Sequence, residues 1–559
     1  MIPAEDIVGD EQWADTDPAA FAPVLARLGA GLAGNPGAAL REAARLTGDV
    51  VLATTEVAAR AVGLADGPTS LTPAPGDRRF SDPAWEEHPW FLAQRQAYLA
   101  WSRHLGRLAG AGGLDDADAA KAHFALGMVA DALAPTNFLG SNPVALRKAV
   151  ETGGSSVVEG ITNFLEDVAE NGARPRQVDA SALRVGRELA CTPGQVVFRN
   201  DLVEVIQYAP QTKSVYQTPL LLSPPWINRY YIMDLAPGRS FAEWAVSHGH
   251  TTFAMSYRNA DASMRDVGLD DYMLRGLDAA LAVVGEITEA EKVNVAGLCV
   301  GGMLASMLAA YQAQGGDDRI QSLTLLNTLL DFSQPGDLGA FTGPEAVAGV
   351  ERRMARTGFL DGREMGTTFD SLRANDLIWN YVSANWLMGD QPPAFDILAW
   401  NADSIGVPEA THAAYLHALY LENRLAEGAM TMGGRQLCLD DVTADTYILA
   451  AMADHITPWK SSYASTGLLG GTVRFVLSSA GHIAGIVNPP GPKRRYWTND
   501  ALPDTAEDWL EDATQHEGSW WGDWADWIGR RAGKRRPPRA VGSAAHPPIG
   551  DAPGTYVHA

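Results

Sequence analysis

Apolar residues recur at spacings of three and four through the first third of the chain. The runs "ALREAARLTGDVVLATTEVAARAVGL" (39–64) and "WFLAQRQAYLAWSRHLGRLAGAG" (90–112) predict amphipathic helices. In "PTNFLGSNPVALRKAVETGG", Asn142 stands as a helix cap, Pro143 fits the first turn and Gly153-Gly154 ends the element. After "RVGRELACTPGQ" the pattern changes to short β-rich runs. These include "QVVFRNDLVEVIQYAP", "TPLLLSPPW", "TTFAMSYRN", "VNVAGLC", "SLTLLNTLLD", "TYILAAMADH" and "GTVRFVLSSAGH". Helical segments such as "MLRGLDAALAVVGEI" and "GGMLASMLAAYQAQ" fall between them. Strands apolar on both faces, alternating with helices, predict an α/β fold with a mostly parallel sheet covered on both sides.

The alternation predicts a helical N-terminal domain over 1–195 and a catalytic domain over 196–559. From about 333 to 440 it is interrupted by a stretch rich in Trp, Tyr, Asn and Pro, which predicts a cap inserted over the strand ends. Trp520, Trp524 and Trp527 share one helical face, as a core stripe or as an exposed apolar contact. Beyond them a Pro- and Gly-rich tail, about 530–559, is expected to be extended.

At 559 residues the chain is too long for one compact core. A net charge of -24 argues against nucleic acid as the main partner, since phosphate repulsion would go uncompensated over any broad face. The three cysteines, Cys191, Cys299 and Cys438, are widely spaced, which disfavours a disulfide framework or a zinc site and fits a reducing cytoplasm. The acidic start "MIPAEDIVGDEQWADTDPAA" has no signal-peptide pattern, and no apolar run is long enough to span a bilayer.

The candidate chemistry lies in "VNVAGLCVGGMLASML" (293–308). Gly297 and Gly301 flank Cys299 in the spacing of a nucleophile elbow, a strand-to-helix turn that usually carries serine in α/β hydrolases. A thiol there would face a pocket near the positive end of the following helix, which favours the thiolate. The amide of Val300 would donate to an oxyanion. Downstream, Asp454 and His482 each follow an apolar strand, in the order nucleophile, acid, histidine. His482 would take the thiol proton and Asp454 would orient its ring. His455 is the rival histidine and a candidate structural partner of the pocket. A second oxyanion donor is placed at Ile227 or Asn228, in the loop after "LLLSPPW", although that loop reads equally well as a plain turn.

These stretches resemble the polyhydroxyalkanoate synthases, which polymerise 3-hydroxyacyl-CoA into storage polyester. Besides the elbow, the similar motifs are "DALAPTNFLGSNPVALRKAVETGG", "PPWINRYYIMDL", "SYRNAD", "LRANDLIWNYV", "PAFDILAWNAD", "ADHITPW", "SSAGHIAGIVNPP" and "GSWWGDW". "WNADSIGVP" (400–408) departs from the usual "WNGDATNLP"-like form. The resemblance implies a single-subunit, class I-like synthase with an α/β-hydrolase-type sheet, and puts Cys299, Asp454 and His482 at the triad positions. It also gives sulfur a purpose. Acyl transfer from CoA to a thiol exchanges one thioester for another at little cost, and the acyl group stays activated toward a hydroxyl.

The partners implied are 3-hydroxyacyl-CoA, most simply 3-hydroxybutyryl-CoA, the growing polyester and its granule surface, granule-associated proteins and a second copy in a homodimer. The setting implied is cytoplasmic, on polyester granules. No metal or cofactor is implied, since CoA belongs to substrate and product. Arg258 and the run Lys493, Arg494, Arg495 are candidates for the CoA phosphates, or equally ordinary surface charge. A cysteine-dependent acyl-CoA thioesterase and a catalytically silent granule scaffold remain the other readings.

Overall fold

The computed structural model describes residues 21–64, 67 and 69–559. The acidic N-terminal stretch, and the expectation about a signal segment that rests on it, lie outside the described residues. The chain forms two compact units. One comprises residues 1–179 with 367–393, the other 180–366 with 394–559.

The first unit is helical, with helices at Ala22–Gly34, Pro36–Ala61, Pro89–Ala111, Asp116–Ala132, Pro143–Glu151 and Ser155–Glu170. Asn142 caps as its sequence suggests: its side chain accepts from the amides of Val144 and Ala145, and Pro143 opens the helix. Gly153 and Gly154 follow with positive φ.

The unit boundary falls after Asp179, not near 195, and the expected cap is divided between the two units. Thr367–Pro393 belongs with the N-terminal helices because its polar contacts lie there. Asn163 Nδ2 donates to the carbonyls of Asn385 (3.0 Å) and Asp390 (3.1 Å), and Trp386 Nε1 donates to Asp167 (2.8 Å). Phe164 packs edge-on against Trp386. A hydrophobic pattern does not reveal which body such an insertion joins.

The second unit is built on one sheet of eleven strands. In chain order they are β1 (Gly194–Arg199), β2 (Val203–Tyr208), β3 (Leu220–Ser223), β4 (Thr252–Tyr257), β5 (Val293–Leu298), β6 (Ile320–Leu326), β7 (Asp445–Ala451), β8 (Val473–Ser478), β9 (Arg495–Thr498), β10 (Thr514–Glu517) and β11 (Gly550–Asp551). Their order across the sheet is β10-β9-β8-β7-β6-β5-β3-β4-β2-β1-β11. The central run from β4 to β8 is parallel throughout, and the flanking strands are antiparallel. Every residue of β3, β4 and β5 is buried, as strands covered on both faces require.

The tail corrects one expectation. It is extended in part, but it is folded onto the sheet: β11 pairs with β1, and Arg535-Arg536 pairs with Val215-Tyr216. Its last turn is held by the buried Arg229, which donates to the carbonyls of Tyr556 (3.0 Å) and Ala559 (2.7 Å). Proline and glycine content predicts extension but not the paired backbone and buried guanidinium that fix the tail here.

The tryptophan stripe belongs to the core. Trp520, Trp521, Trp524 and Trp527 are all buried at the start of and along the helix Trp521–Gly529, so their rings are not a granule contact. Phe241 packs against three of them, and Trp524 Nε1 donates to Thr324 Oγ1 on β6 (3.0 Å). Removing that ring leaves a large cavity and an unpaired hydroxyl. We expect Trp524→Ala to cost about 3–5 kcal/mol in urea unfolding; a midpoint equal to that of the wild type would place the ring outside the core.

Candidate active site

β5 ends at Leu298, and Cys299 makes the turn into the helix Val300–Gln314 with φ of 52° and ψ of -121°. A non-glycine residue in that region is strained, which is the signature of a nucleophile elbow. The turn is possible because its neighbours lack side chains. A Cβ on Gly297 would lie 2.4 Å from the Gly302 Cα, and one on Gly301 would lie 2.3 Å from the Ser223 carbonyl oxygen. The same closeness sets the end of β3 against the first turn of the helix, where Ser223 Oγ donates to the Gly301 carbonyl (3.1 Å). The Cys299 side chain remains partly exposed.

β7 and β8 carry the other two groups. Asp454 lies just past β7, and His482 opens the short helix after β8. His482 Nδ1 stands 2.7 Å from Asp454 Oδ2, and both residues are buried. The other carboxylate oxygen accepts from the amides of Ile456 and Thr457, each at 2.9 Å. Thr457 Oγ1 donates to Oδ2 at 2.7 Å. Burial alone would raise the Asp454 pKa, but the His482 charge, the His482 hydrogen bond and the Thr457 bonds override it and hold the carboxyl below its ordinary value. For His482 burial works in the opposite direction, toward a lower pKa. The Asp454 carboxylate, and the hydrogen bond the imidazolium donates to the Cys299 sulfur with the charge of that sulfur, overcome it and push the imidazole up to about 10. Thiol, imidazole and carboxylate thus gather past the carboxyl ends of parallel strands.

Of the two histidines, the carboxylate takes His482. His455 follows Asp454 in the same loop, and its carbonyl accepts from the Asp337 amide. Val300 is the first residue of the helix that follows Cys299, so its amide has no intrahelical acceptor. Ile227 is buried in the loop after β3. Asn228 is joined by an isolated antiparallel bridge to Ser404, and its side chain accepts from the Arg229 amide. Arg258 is engaged with Asp261 in an ion pair. Lys493 and Arg495 are exposed at the entry to β9, with Arg494 half-buried between them.

Three neighbours of the site escaped the sequence reading. Thr457 is one; a threonine three residues past the acid was the available signal. The others are Tyr415, buried, and Tyr420, half-buried, whose hydroxyls lie 3.3 Å apart. Burial pushes both phenols up, and the Cys299 charge adds to the shift, which places both rings near the sulfur. Trp226 meets Tyr415 edge-on and Phe332 meets Tyr420 edge-on. The aromatic richness of the insertion hinted at such a roof without naming its members.

Residues 76–245 match the family model described as the N-terminus of poly-beta-hydroxybutyrate polymerase (PhaC), and residues 230–489 match that of the alpha/beta hydrolase fold. The chain is 43% identical to a poly(3-hydroxyalkanoate) polymerase of Methylorubrum extorquens, over 87% of this chain and 81% of that protein. The chain belongs to the poly(3-hydroxyalkanoate) polymerase family. Two further members show how evenly the likeness extends. Poly(3-hydroxyalkanoate) polymerase 2 of Ectopseudomonas oleovorans is 42% identical over 88% of each chain. The poly(3-hydroxyalkanoate) polymerase subunit PhaC of Cupriavidus necator is 42% identical over 89% of this chain and 85% of its own. The polymerase-family likeness therefore spans both units, including the helical one.

The Asp454–His482 pair has a defined pH signature. The folded-state pKa of His482, about 10, lies above the ordinary 6.5, so its contribution to stability is complete below pH 6.5 and is lost as the pH rises toward 10. Asp454, held below 3.8 on folding, contributes stability that is lost only in acid. We expect the urea midpoint of the wild type to exceed that of Asp454→Asn most at about pH 5–6, with the gap closing toward alkaline pH. A gap that does not change with pH contradicts the pairing.

Proposed function

We propose that the chain polymerises (R)-3-hydroxyacyl-CoA, most simply 3-hydroxybutyryl-CoA, into polyester and releases CoA, by way of a thioester on Cys299. The observation that carries this reading is the buried Asp454–His482 pair reaching the cysteine of a glycine-flanked elbow, in a chain of the polymerase family.

The chemistry follows from the placement. The thiol proton rests on Nε2 of His482, which leaves an imidazolium beside a thiolate, and that sulfur attacks the thioester carbonyl. Negative charge builds on that oxygen, where the Val300 amide and a donor from the Ile227–Asn228 loop face it. The tetrahedral centre collapses, the C–S bond to CoA breaks, and the CoA thiolate leaves with the proton held by His482. In the second half, His482 takes the proton of an incoming 3-hydroxyl, and that oxygen attacks the acyl-Cys299 carbonyl. An ester forms and the cysteine sulfur is released to be loaded again. Asp454 keeps its charge throughout and holds the ring in the tautomer that presents Nε2 to the sulfur.

The same reading assigns the remaining partners. A polyester chain grows at Cys299, and the protein acts as a homodimer on the granule surface in the cytoplasm, beside granule-associated proteins. Among the described residues no helix is long and apolar enough to cross a membrane. Lys493, Arg494 and Arg495 suit the CoA phosphates better than Arg258, whose charge is engaged by Asp261. The hydrolase fold favours one competing reading, a thioesterase that hands the acyl group to water. A catalytically silent granule scaffold is the other.

Incubation with 3-hydroxybutyryl-CoA separates the three. We expect CoA release matched by polymer; free 3-hydroxybutyrate without polymer favours hydrolysis, and no CoA release favours the scaffold. Cys299→Ala is expected to lower CoA release by about a thousandfold or more while unfolding like the wild type. Cys299→Ser is expected to keep little activity, because an alcohol is a poor substitute for a thiolate at neutral pH. Near-normal turnover in either variant contradicts the thioester route.

A further inference from the structure

β6 runs between the strand that carries the nucleophile and the strand that carries the acid, and its end is tied to both. The Cys299 amide donates to the Leu326 carbonyl, and the Asn327 amide donates to the Leu449 carbonyl, each at 2.8 Å. Asn327 then turns with φ of 44°, in the left-handed region that asparagine tolerates better than most residues. It is fully buried. Its Nδ2 donates to the carbonyl of His482 at 2.5 Å. The next residue, Thr328, directs Oγ1 to the carbonyl of Cys299 at 3.1 Å. A Cβ on Gly302 would lie 2.3 Å from that hydroxyl, so the glycine after the elbow makes room for it.

Two adjacent side chains therefore hold the backbones of both reacting residues. His482 begins a helix of only five residues, His482–Ile486, too short to fix its own position. Trp520 and Trp521 take the carbonyls at its far end, those of Gly485 and Ile486. Asn327 grips its first residue. The remaining oxygen of Asn327, Oδ1, is buried with no hydrogen-bond partner among the described residues. A strained backbone and an unsatisfied buried acceptor both cost stability, and such costs concentrate where geometry serves chemistry.

We propose that Asn327 is a positioning residue of the active site: through the His482 carbonyl it sets the imidazole against the Cys299 sulfur, while Thr328 steadies Cys299 from the same strand end. The inference rests on the cysteine acyl-transfer reading given above.

The test compares the wild type with Asn327→Gly and Asn327→Asp. Glycine keeps the positive φ and removes the amide. Aspartate keeps the shape but turns an oxygen toward the His482 carbonyl, so it serves where glycine loosens the turn. Four quantities are measured on each: urea unfolding, KM and kcat for CoA release from 3-hydroxybutyryl-CoA, and the pH profile of Cys299 alkylation by iodoacetamide, followed on its own peptide by mass spectrometry. We expect a folded protein with KM near that of the wild type, kcat lower by about a hundredfold, and an alkylation profile displaced along the pH axis. Wild-type kcat in a folded variant overturns the inference. A kcat loss with an unmoved alkylation profile also overturns it, since that marks a purely structural role. Wild type that still releases CoA after complete alkylation of Cys299 overturns the acyl-transfer reading and this inference together. Wild type silenced by alkylation beside unaffected Asn327 variants overturns this inference alone.

Discussion

The hydrogen bond between His482 Nδ1 and Asp454 Oδ2 is the constraint on which the site depends. Both groups are buried, and a buried charge without a partner costs several kcal/mol. The carboxylate is acceptable there because each of its oxygens is engaged by the Ile456 and Thr457 amides, the Thr457 hydroxyl and the imidazole. The imidazole, in turn, is pinned by its carboxylate. With Nδ1 committed, only Nε2 is left to face the sulfur, so one bond fixes tautomer, ring orientation and proton affinity together.

The sheet supplies the rest of the precision. β5, β6 and β7 lie side by side in parallel, so the residues past their carboxyl ends meet in space although they are far apart in sequence. The elbow brings Cys299 out of the strand by accepting strain, and Gly297, Gly301 and Gly302 accept the crowding that this creates. The aromatic core around Trp520, Trp521 and Trp524 lies on the far side of the His482 helix and holds its carbonyls. The stripe that the sequence offers as core or as surface contact thus supports the His482 helix.

Much of this was legible in the sequence, where short-range rules decide the outcome. The Asn142 cap, the strand runs and the cysteine between glycines all follow from local chemistry. The strand ends also bring together the spacing of nucleophile, acid and histidine. The parts that were not legible depend on long-range packing. Residues 367–393 join the helical unit through Asn163 and Asp167, partners no periodicity announces. The tail is ordered by Arg229, more than three hundred residues away. Composition predicts only that it is extended. His482 ranks ahead of His455 from the order of the strand ends, and the geometry pairs it with Asp454. Asn327 carries no motif, and its place is apparent only once β6 is seen between its neighbours.

The central claim is that an acyl group passes through a thioester on one sulfur. Its most direct test is a rapid acid quench of the protein with 3-hydroxybutyryl-CoA, followed by peptide mass spectrometry of all three cysteines. The account requires the 3-hydroxybutyryl group, or a short oligomer of it, on the Cys299 peptide early in turnover and on neither of the others. CoA release and polymer with Cys299 unmodified at every time point, or the acyl group on Cys191 or Cys438, would contradict it.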